Sequence, residues 1–220
     1  MSCFTRILHL FRCLFKQQLH NVSCMCALLL FPIILFLFQA ASVRTDSDRI
    51  TVLLFASQPD ATVSELFETL TESEGIGLAA PQIGKAIRLV VIDLDVLADD
   101  MPEYKDFKRP FINPHIVEYD DSETESQEEG CLSLPAIHEK VTRPTRIRVQ
   151  WLDGDLQPHD EWVEGFLARV MQHEFDHLDG KMFIDRISPL RKQLIKNKLK
   201  ALLQGRFRCG YKTKLLPKKN

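Results

Sequence analysis

Apolar residues recur at different spacings along the chain, and each spacing predicts a different kind of element. Over residues 62–71 the large apolar side chains are three or four residues apart, as in a helix with one buried face. Residues 165–180 predict a second helix, in which Phe166 and Val170 share the inward face with His173 and His177. A third helix is indicated by five leucines at helical spacing: Leu190, Leu194, Leu199, Leu202 and Leu203.

Strands are indicated where the repeat shortens to two. In residues 146–152, Ile147, Val149 and Trp151 alternate with polar neighbours, as expected of a half-buried strand, and a turn follows at residues 153–154. Two further apolar stretches predict strands at residues 88–94 and 111–119. The acidic residues 120–129 predict a solvated turn or hairpin. Strands gathered around one inward-facing helix predict the α+β class.

Charge and apolar character are unevenly distributed. The formal net charge is -2, but residues 186–220 contain twelve Lys or Arg and no Asp or Glu. Such a region is attracted to polyanions such as ribosomal RNA or an anionic membrane surface, although a solvated helix that closes the domain gives the same pattern. Residues 24–38 are fifteen apolar residues in a row. They are typical of a signal sequence or short membrane anchor, and an atypical or misassigned start is the alternative.

Residues 172–180 read QHEFDHLDG and contain a motif with a known chemical use. His173 and His177 are four apart, so a helix projects both imidazoles from one face, where they could bind the same metal ion. Glu174 follows the first histidine and lies close enough to handle protons for a bound water. A surface helix with satisfied histidines is the alternative, but the apolar spacing places these histidines on the inward face. The motif therefore predicts a metal-dependent hydrolase.

A catalytic metal site usually has three protein ligands, so a third ligand is expected outside this helix. Proteases with the HExxHxxGxxH motif carry a histidine at the position of Phe183, and no Asp or Glu follows Asp185. Upstream, Cys131 is the candidate, since the other five cysteines lie in the apolar N-terminal segment or the basic tail. A lone cysteine is more often a small buried apolar residue, so both interpretations stay open at this point.

Two further motifs accompany QHEFDHLDG at residues 172–180: GIGLAAPQ at residues 75–82 and EGCLS at residues 129–133. Together, and in this order, the three stretches resemble the signature motifs of the peptide deformylase family. The resemblance covers roughly residues 65–205. It implies the α+β peptide deformylase fold, with mixed or antiparallel strands around a central metal-binding helix and a C-terminal helix.

The resemblance also implies a metal site. Cys131, His173 and His177 would hold one divalent metal ion, with Fe²⁺ as the expected native ion and Zn²⁺, Ni²⁺ or Co²⁺ able to replace it. Glu174 would act as general base and then as general acid. The sequence alone provides a His-His-Cys set, which suits zinc or iron and does not choose between them.

Further residues receive roles by the same resemblance. The side-chain amide of Gln82 and the backbone N–H of Leu132 would stabilise an oxyanion, and the backbone of Gly77 would bind the substrate. Glu74 and Arg143 occupy positions that can form a supporting ion pair in the family. Apolar residues that would surround a methionine side chain, or belong to the core alone, are Ile76, Phe166 and Val170.

The implied activity is removal of the formyl group from the N-terminal methionine of newly synthesised proteins, with release of formate. The substrates would be N-formylmethionyl nascent peptides in the cytoplasm, and the basic C-terminal region could contact the ribosome. Membrane association through residues 24–41, or targeting to an organelle, is expected instead if the apolar segment has that role. The alternatives are an endopeptidase of the HExxH type and a non-catalytic ribosome- or membrane-binding protein.

The domain organisation follows from these patterns. Residues 1–49 form an atypical apolar N-terminal segment, which is a signal, an anchor or a misassigned start. Residues 50–205 are expected to form the catalytic domain, and residues 206–220 a basic tail.

Overall fold

A computed structural model describes residues 59–214 of the chain. The predictions for residues 1–49, including the apolar run, lie outside the described residues, as does the end of the basic tail. None of the helices within residues 59–214 has both the length and the apolar character needed to cross a membrane.

The described residues contain three α-helices and five β-strands. The helices are α1 (Pro59–Glu72), α2 (Gly165–Leu178) and α3 (Pro189–Leu203). The strands are β1 (Gly77–Ala79), β2 (Leu89–Asp93), β3 (Lys108–Gly130), β4 (His138–Leu152) and β5 (Pro158–Glu164). Short 3₁₀ turns are Ala80–Ile83, Asp95–Leu97, Pro102–Tyr104 and Phe183–Asp185. The α+β class is confirmed, and each of the three predicted helices is present.

The five strands form one sheet in which each strand pairs antiparallel with the next along the chain. The predicted strands at residues 88–94, 111–119 and 146–152 are therefore confirmed, and β3 and β4 extend beyond the predicted ends. The turn at residues 153–154 joins β4 to β5, with the N–H of Asp153 bonded to the carbonyl of Gln157.

Residues 120–129 were predicted as a turn or hairpin; the turn is wrong, and the stretch is one arm of the hairpin that β3 forms with β4. This acidic stretch continues β3, and it pairs with β4 from Thr124 opposite Pro144 to Gly130 opposite His138. An irregularity of register lies between Asp120 and Thr124. Most of these side chains are exposed, so their acidity indicated contact with solvent, and it carried no information about the backbone conformation.

Helix α2 packs its apolar face against the sheet. Val170, Met171 and Phe175 are buried there, together with sheet residues that include Phe111 and Val149. The first turn of α2 follows Gly165, and the helix ends one residue after His177. Gly180 then takes a left-handed φ of 70°, and Lys181 bonds back to the carbonyl of Asp176, as in a glycine-terminated helix.

Helix α3 is capped at its N-terminus by Ser188, whose hydroxyl accepts a hydrogen bond from the backbone N–H of Arg191. Its buried face is made by Ile195, with Leu199 and Leu202 partly buried beside it. The other three leucines of the predicted stripe are exposed: Leu190, Leu194 and Leu203. The expected apolar stripe is therefore wrong for those three, because the face that meets the domain is the one with Ile195 at its centre.

Candidate metal centre

Three side chains from two distant parts of the sequence meet at the sheet-facing side of α2. Cys131 follows the end of β3, whereas His173 and His177 lie one turn apart on α2. One potential ligand atom of each lies within 4.8 Å of the other two. The convergence of the thiol and both imidazoles, which the sequence alone left open, is present in the fold.

The spacing of these atoms fits a tetrahedral metal ion. Sγ of Cys131 lies 3.3 Å from Nε2 of His177, and the two imidazole rings meet nearly edge to face with centroids 5.1 Å apart. With metal–sulfur and metal–nitrogen bonds of about 2.3 and 2.0–2.1 Å, a tetrahedral ion separates such ligands by roughly 3.5 Å. The three residues present could therefore hold one ion and leave one position for water.

His173 is oriented by a carboxylate behind it. Its Nδ1 donates a hydrogen bond of 3.0 Å to the carboxylate of Glu129, which fixes the tautomer and turns Nε2 toward Cys131 and His177. On its other side the ring stacks on buried Phe183, with centroids 6.1 Å apart and planes at 20°. Phe183 thus occupies the position of the third protease histidine, and it packs against a candidate ligand without being one.

Glu129 belongs to a buried network of charges. Its carboxylate accepts two hydrogen bonds from Arg143, of 2.6 and 2.9 Å, and a third of 2.9 Å from Arg169. Arg143 also donates to Asp176 on α2 at 2.8 Å, and Asp176 pairs in turn with Arg186. All but Arg186 are buried. Such a network is stable when each charge is paired and hydrogen-bonded.

This network corrects one expectation. Among the described residues, Arg143 pairs with Glu129 and Asp176, so the supporting ion pair with Glu74 is wrong. Glu74 lies instead in the turn after α1, at a positive φ of 53°, and lines the cleft described below. Arg143 is 1% exposed and needs two carboxylates within reach, which its neighbours on β3 and α2 supply.

The charges around the three candidate ligands favour a thiolate. Burial alone would raise the pKa of Cys131, but hydrogen bonds with His173 and His177 outweigh it and lower the pKa to about 6. Burial likewise disfavours the charged form of His173, yet its bonds to Cys131 and Glu129 raise its pKa to about 10. Glu129 is also buried, and Arg143 and His173 nevertheless lower its pKa to about 2. The sulfur is thereby prepared to act as an anionic ligand.

Glu174 lies on α2 beside the candidate ligands and is 5% exposed. Burial raises its pKa, and the nearby histidines oppose this effect. Its Oε2 atom is buried and has no hydrogen-bond partner within residues 59–214. An unpaired buried carboxylate oxygen costs stability unless a water or ligand meets it. This orphaned oxygen next to the three ligands is the second observation that fits a metal with a bound water.

Gly77 makes the position of Glu174 possible. A Cβ atom on Gly77 would lie 2.6 Å from Oε1 of Glu174 and 2.8 Å from its Cγ. No side chain fits there without moving the carboxylate. The resemblance implies that the backbone of Gly77 binds the substrate, which stays a prediction, whereas the structure shows that the side chain of Glu174 fills the space beside Gly77.

Gln82 is held in one orientation by the backbone. Its Oε1 accepts a hydrogen bond of 2.8 Å from the N–H of Ala79. The NH₂ group therefore points away from β1, where Nε2 lies 3.1 Å from Oγ of Ser133 and 3.7 Å from Sγ of Cys131. An amide donor is thus directed at the thiol end of the site, as an oxyanion donor must be.

A cleft of about 560 Å³ opens beside these residues. The candidate site residues that line it are Ile76, Gly77, Gln82, Cys131, Leu132, Phe166, Val170, His173 and Glu174. The fold therefore brings all of these candidates together, and His177, which does not line the cleft, is the third member of the ligand set. Phe166 also packs near Tyr104, with ring centroids 6.3 Å apart, so one part of the wall is apolar.

Some site residues were not singled out from the sequence. Glu129 was noted only as a letter of the EGCLS stretch, and its contact with His173 spans 44 residues. Arg169 could have been found, because it is four residues before His173 and hence on the same inward face of α2. The C-terminal segment gave no such signal, yet the cleft is also lined by Arg208, Cys209, Gly210 and Tyr211.

Comparisons with known proteins identify the family of this chain. The family model of polypeptide deformylases matches residues 36–193. The peptide deformylase of Flavobacterium psychrophilum is 38% identical over 167 residues, which cover 73% of this chain and 86% of that protein. That of Chromobacterium violaceum is 46% identical over 138 residues, covering 63% and 77%. A solved peptide deformylase from Legionella pneumophila is 37% identical and covers 68% of this chain and 84% of its own, with a TM-score of 0.57. This chain therefore belongs to the polypeptide deformylase family.

Proposed function

We propose that this protein removes the formyl group from the N-terminal methionine of newly synthesised proteins and releases formate. Membership of the deformylase family makes it a hydrolase of this kind. The observation that carries the proposal for this chain is the meeting of Cys131, His173 and His177 within 4.8 Å, beside the buried carboxylate of Glu174. Family membership, the orphaned oxygen of Glu174 and the amide of Gln82 all support hydrolysis of a small amide at this point.

The three ligands would be Cys131, His173 and His177, and the ion one divalent metal. One thiolate and two imidazoles suit Fe²⁺ or Zn²⁺ by ligand softness, and Ni²⁺ and Co²⁺ also accept such ligands. We propose Fe²⁺ as the native ion, on the strength of the family resemblance. When bound, the ion supplies a Lewis acid that makes a water nucleophilic near neutral pH.

Glu174 would move the proton. Its carboxylate is adjacent to His173 and is buried away from bulk water, so it can take a proton from the attacking water and later deliver it to the departing amine. Its pKa is raised by burial, which makes it a stronger base than an exposed glutamate. Gly77 leaves it the room to do so.

Gln82 and Leu132 would stabilise the charge that develops on the formyl oxygen. The amide of Gln82 is fixed by Ala79 and directed toward the thiol. The backbone N–H of Leu132 follows Cys131 directly in the chain, so it belongs to the same corner of the cleft. Preorganised donors of this kind are each worth about 100- to 1,000-fold in rate.

The methionine side chain would lie against the apolar part of the cleft. Ile76 and Phe166 are partly buried there and Val170 is nearly fully buried, and all three line the cleft. Gly77 would supply backbone hydrogen bonds to the substrate. These three residues would give an unbranched apolar side chain a surface to pack against, and the polar groups elsewhere in the cleft would orient the rest of the peptide.

The place of action and the partners follow from the substrate. N-formylmethionyl nascent chains are met where the ribosome releases them, so we propose the cytoplasm. Contact with the ribosome could use α3, on which Lys196, Lys198 and Lys200 are exposed. Membrane association through residues 24–41 is proposed from the apolar run alone. The boundaries 1–49, 50–205 and 206–220 are likewise proposed from the sequence pattern, although residues 208–211 of the basic tail line the cleft.

Formate release tests the function directly. The purified protein loaded with Fe²⁺ is given formyl-Met-Ala-Ser, and formate is measured against acetyl-Met-Ala-Ser as a matched control. We expect formate from the first peptide and no cleavage of the second. Cleavage of internal bonds in a longer peptide would favour the endopeptidase alternative, and a loaded protein that releases no formate would overturn the proposal.

A further inference from the structure

The chain returns to the cleft after α3. Gly205 takes a left-handed φ of 71°, and the N–H of Arg206 bonds back to the carbonyl of Ala201, so the helix ends in a sharp reversal. The segment that follows, residues 206–214, is named here the return segment. Four of its residues form one wall of the cleft: Arg208, Cys209, Gly210 and Tyr211.

One hydrogen bond connects the return segment to the centre of the site. The hydroxyl of Tyr211 donates to the backbone carbonyl of Leu132 at 2.7 Å, across 79 residues of sequence. This is the usual length of a good O–H···O bond. The tyrosine is half-buried in the wall, and partial burial raises the pKa of its phenol, so the donor stays protonated at neutral pH.

Leu132 lies in a loop that has few internal backbone hydrogen bonds. Residues 131–136 contain no helix or strand, and the loop closes with bonds from Leu134 to the carbonyl of Cys131 and from Ile137 to that of Leu134. Neither bond uses the carbonyl of Leu132. The bond from Tyr211 therefore restrains the carbonyl group of Leu132, which neither of these two loop bonds involves.

We propose that Tyr211 is a positioning residue for the deformylation reaction and acts through the backbone of Leu132. The inference rests on the proposed function, in which the N–H of Leu132 donates to the developing oxyanion. A donor contributes fully only when it is held in place before the charge develops. The hydrogen bond from Tyr211 fixes the backbone carbonyl of Leu132. By restraining the backbone of this residue, it also restrains the direction of the N–H group of Leu132. The return segment is in this way part of the catalytic apparatus.

The experiment compares Tyr211→Phe with Thr213→Val. The first variant removes the hydroxyl and keeps the ring, and the second removes a hydroxyl at an exposed position of the same return segment. A single neutral hydrogen bond is worth about 0.5–1.5 kcal/mol, so Tyr211→Phe should lower kcat roughly 2- to 12-fold. KM should stay within about 2-fold and Tm within a few degrees, because the wall itself remains. Thr213→Val should match the wild type.

A second measurement does not depend on activity. In ¹⁵N–¹H spectra of the metal-free protein, loss of a hydrogen bond to the carbonyl of Leu132 should shift the amide nitrogen of Ser133, which shares that peptide group. Tyr211→Phe should show this shift, and Thr213→Val should not.

The two hypotheses fail in different ways. A wild-type protein without deformylase activity overturns the proposed function and this inference with it. An active wild type with an unchanged kcat in Tyr211→Phe overturns the inference alone. A raised KM or a lowered Tm with unchanged kcat would give Tyr211 a purely structural role, and an unshifted Ser133 signal would mean that the hydrogen bond is absent in solution.

Discussion

The carboxylate of Glu129 lies 3.0 Å from Nδ1 of His173 and accepts its hydrogen bond. The same carboxylate is held from behind by Arg143 and Arg169. A candidate metal ligand on α2 is therefore oriented by a residue of β3, and that residue by two buried arginines. The geometry of the site depends on this chain of contacts as much as on the ligands themselves.

Glu129→Gln should weaken metal binding. The amide keeps the shape of the side chain but loses its charge, so His173 is held less firmly and the two arginines lose a partner. Changes of this kind typically cost about 10- to 100-fold in metal affinity. Competition with a chelator of known affinity measures the effect. Glu118→Gln, the same change at an exposed position of β3, is the control, and equal affinities in both variants would contradict the role given to Glu129.

Cys131→Ser should abolish stoichiometric metal binding. A serine hydroxyl does not ionise at neutral pH, whereas the pKa of Cys131 is about 6 and its sulfur lies 3.3 Å from Nε2 of His177. Metal analysis of the protein after gel filtration checks this expectation. Cys209→Ser makes the same change in the return segment, at the second free cysteine of the described residues, and should retain one ion per chain. Loss of metal from the Cys209 variant would point to a different ligand set.

Glu174→Gln should separate metal binding from catalysis. Glutamine fits the same space but accepts no proton, and a general acid–base group contributes about 100- to 10,000-fold in rate. We expect kcat to fall by an amount in that range while the metal content stays at one ion per chain. Formate release and metal analysis on the same sample test both halves. A variant with near wild-type activity would assign the base to another residue.

Gly77→Ala should impair the reaction without changing the ligands. The new Cβ would lie 2.6 Å from Oε1 of Glu174, so the carboxylate must move. A displacement of about 1 Å in a reacting group costs on the order of 100-fold in rate. The control is Gly154→Ala, where the Cβ would meet Pro110 at an ordinary 3.6 Å. If kcat/KM of the Gly77 variant equals that of the control, the contact with Glu174 does not limit the choice of residue.

The sequence predicted those features that depend on local pattern. The repeat of three and four residues located α1 and α2, and the HExxH spacing placed both histidines on one face. Features that depend on contacts between residues far apart in the sequence could not be predicted from local pattern. The pairing of Arg143 with Glu129 and Asp176 spans 14 and 33 residues, and the bond from Tyr211 to Leu132 spans 79. The acidic stretch 120–129 was predicted as a turn or hairpin, and it is part of a strand. Acidic residues indicate exposure to solvent, and an exposed strand has that in common with a turn.

The turn between β4 and β5 offers a test of the electrostatics away from the cleft. Nε2 of His159 lies 2.8 Å from Oδ2 of Asp153, and its ring stacks on Trp151. The hydrogen bond with Asp153 raises the pKa of His159 above its ordinary value. Since the folded pKa exceeds the unfolded one, this pair stabilises the fold fully below about pH 6.5, and the contribution is lost as pH rises through the raised pKa.

A proton NMR titration of the His159 ring should therefore show a midpoint above 6.5. Asp153→Asn should return the midpoint toward that value, because the amide oxygen can still accept from the N–H groups of Asp155 and Gln157, as Oδ1 of Asp153 does, while the charge is gone. Asp155→Asn removes a charge nearby without removing the partner, and should leave the midpoint high. A wild-type midpoint at or below 6.5 would mean that His159 and Asp153 do not pair in solution, and the β4–β5 turn would then be held without the histidine, by its backbone bonds and by Oδ1 of Asp153.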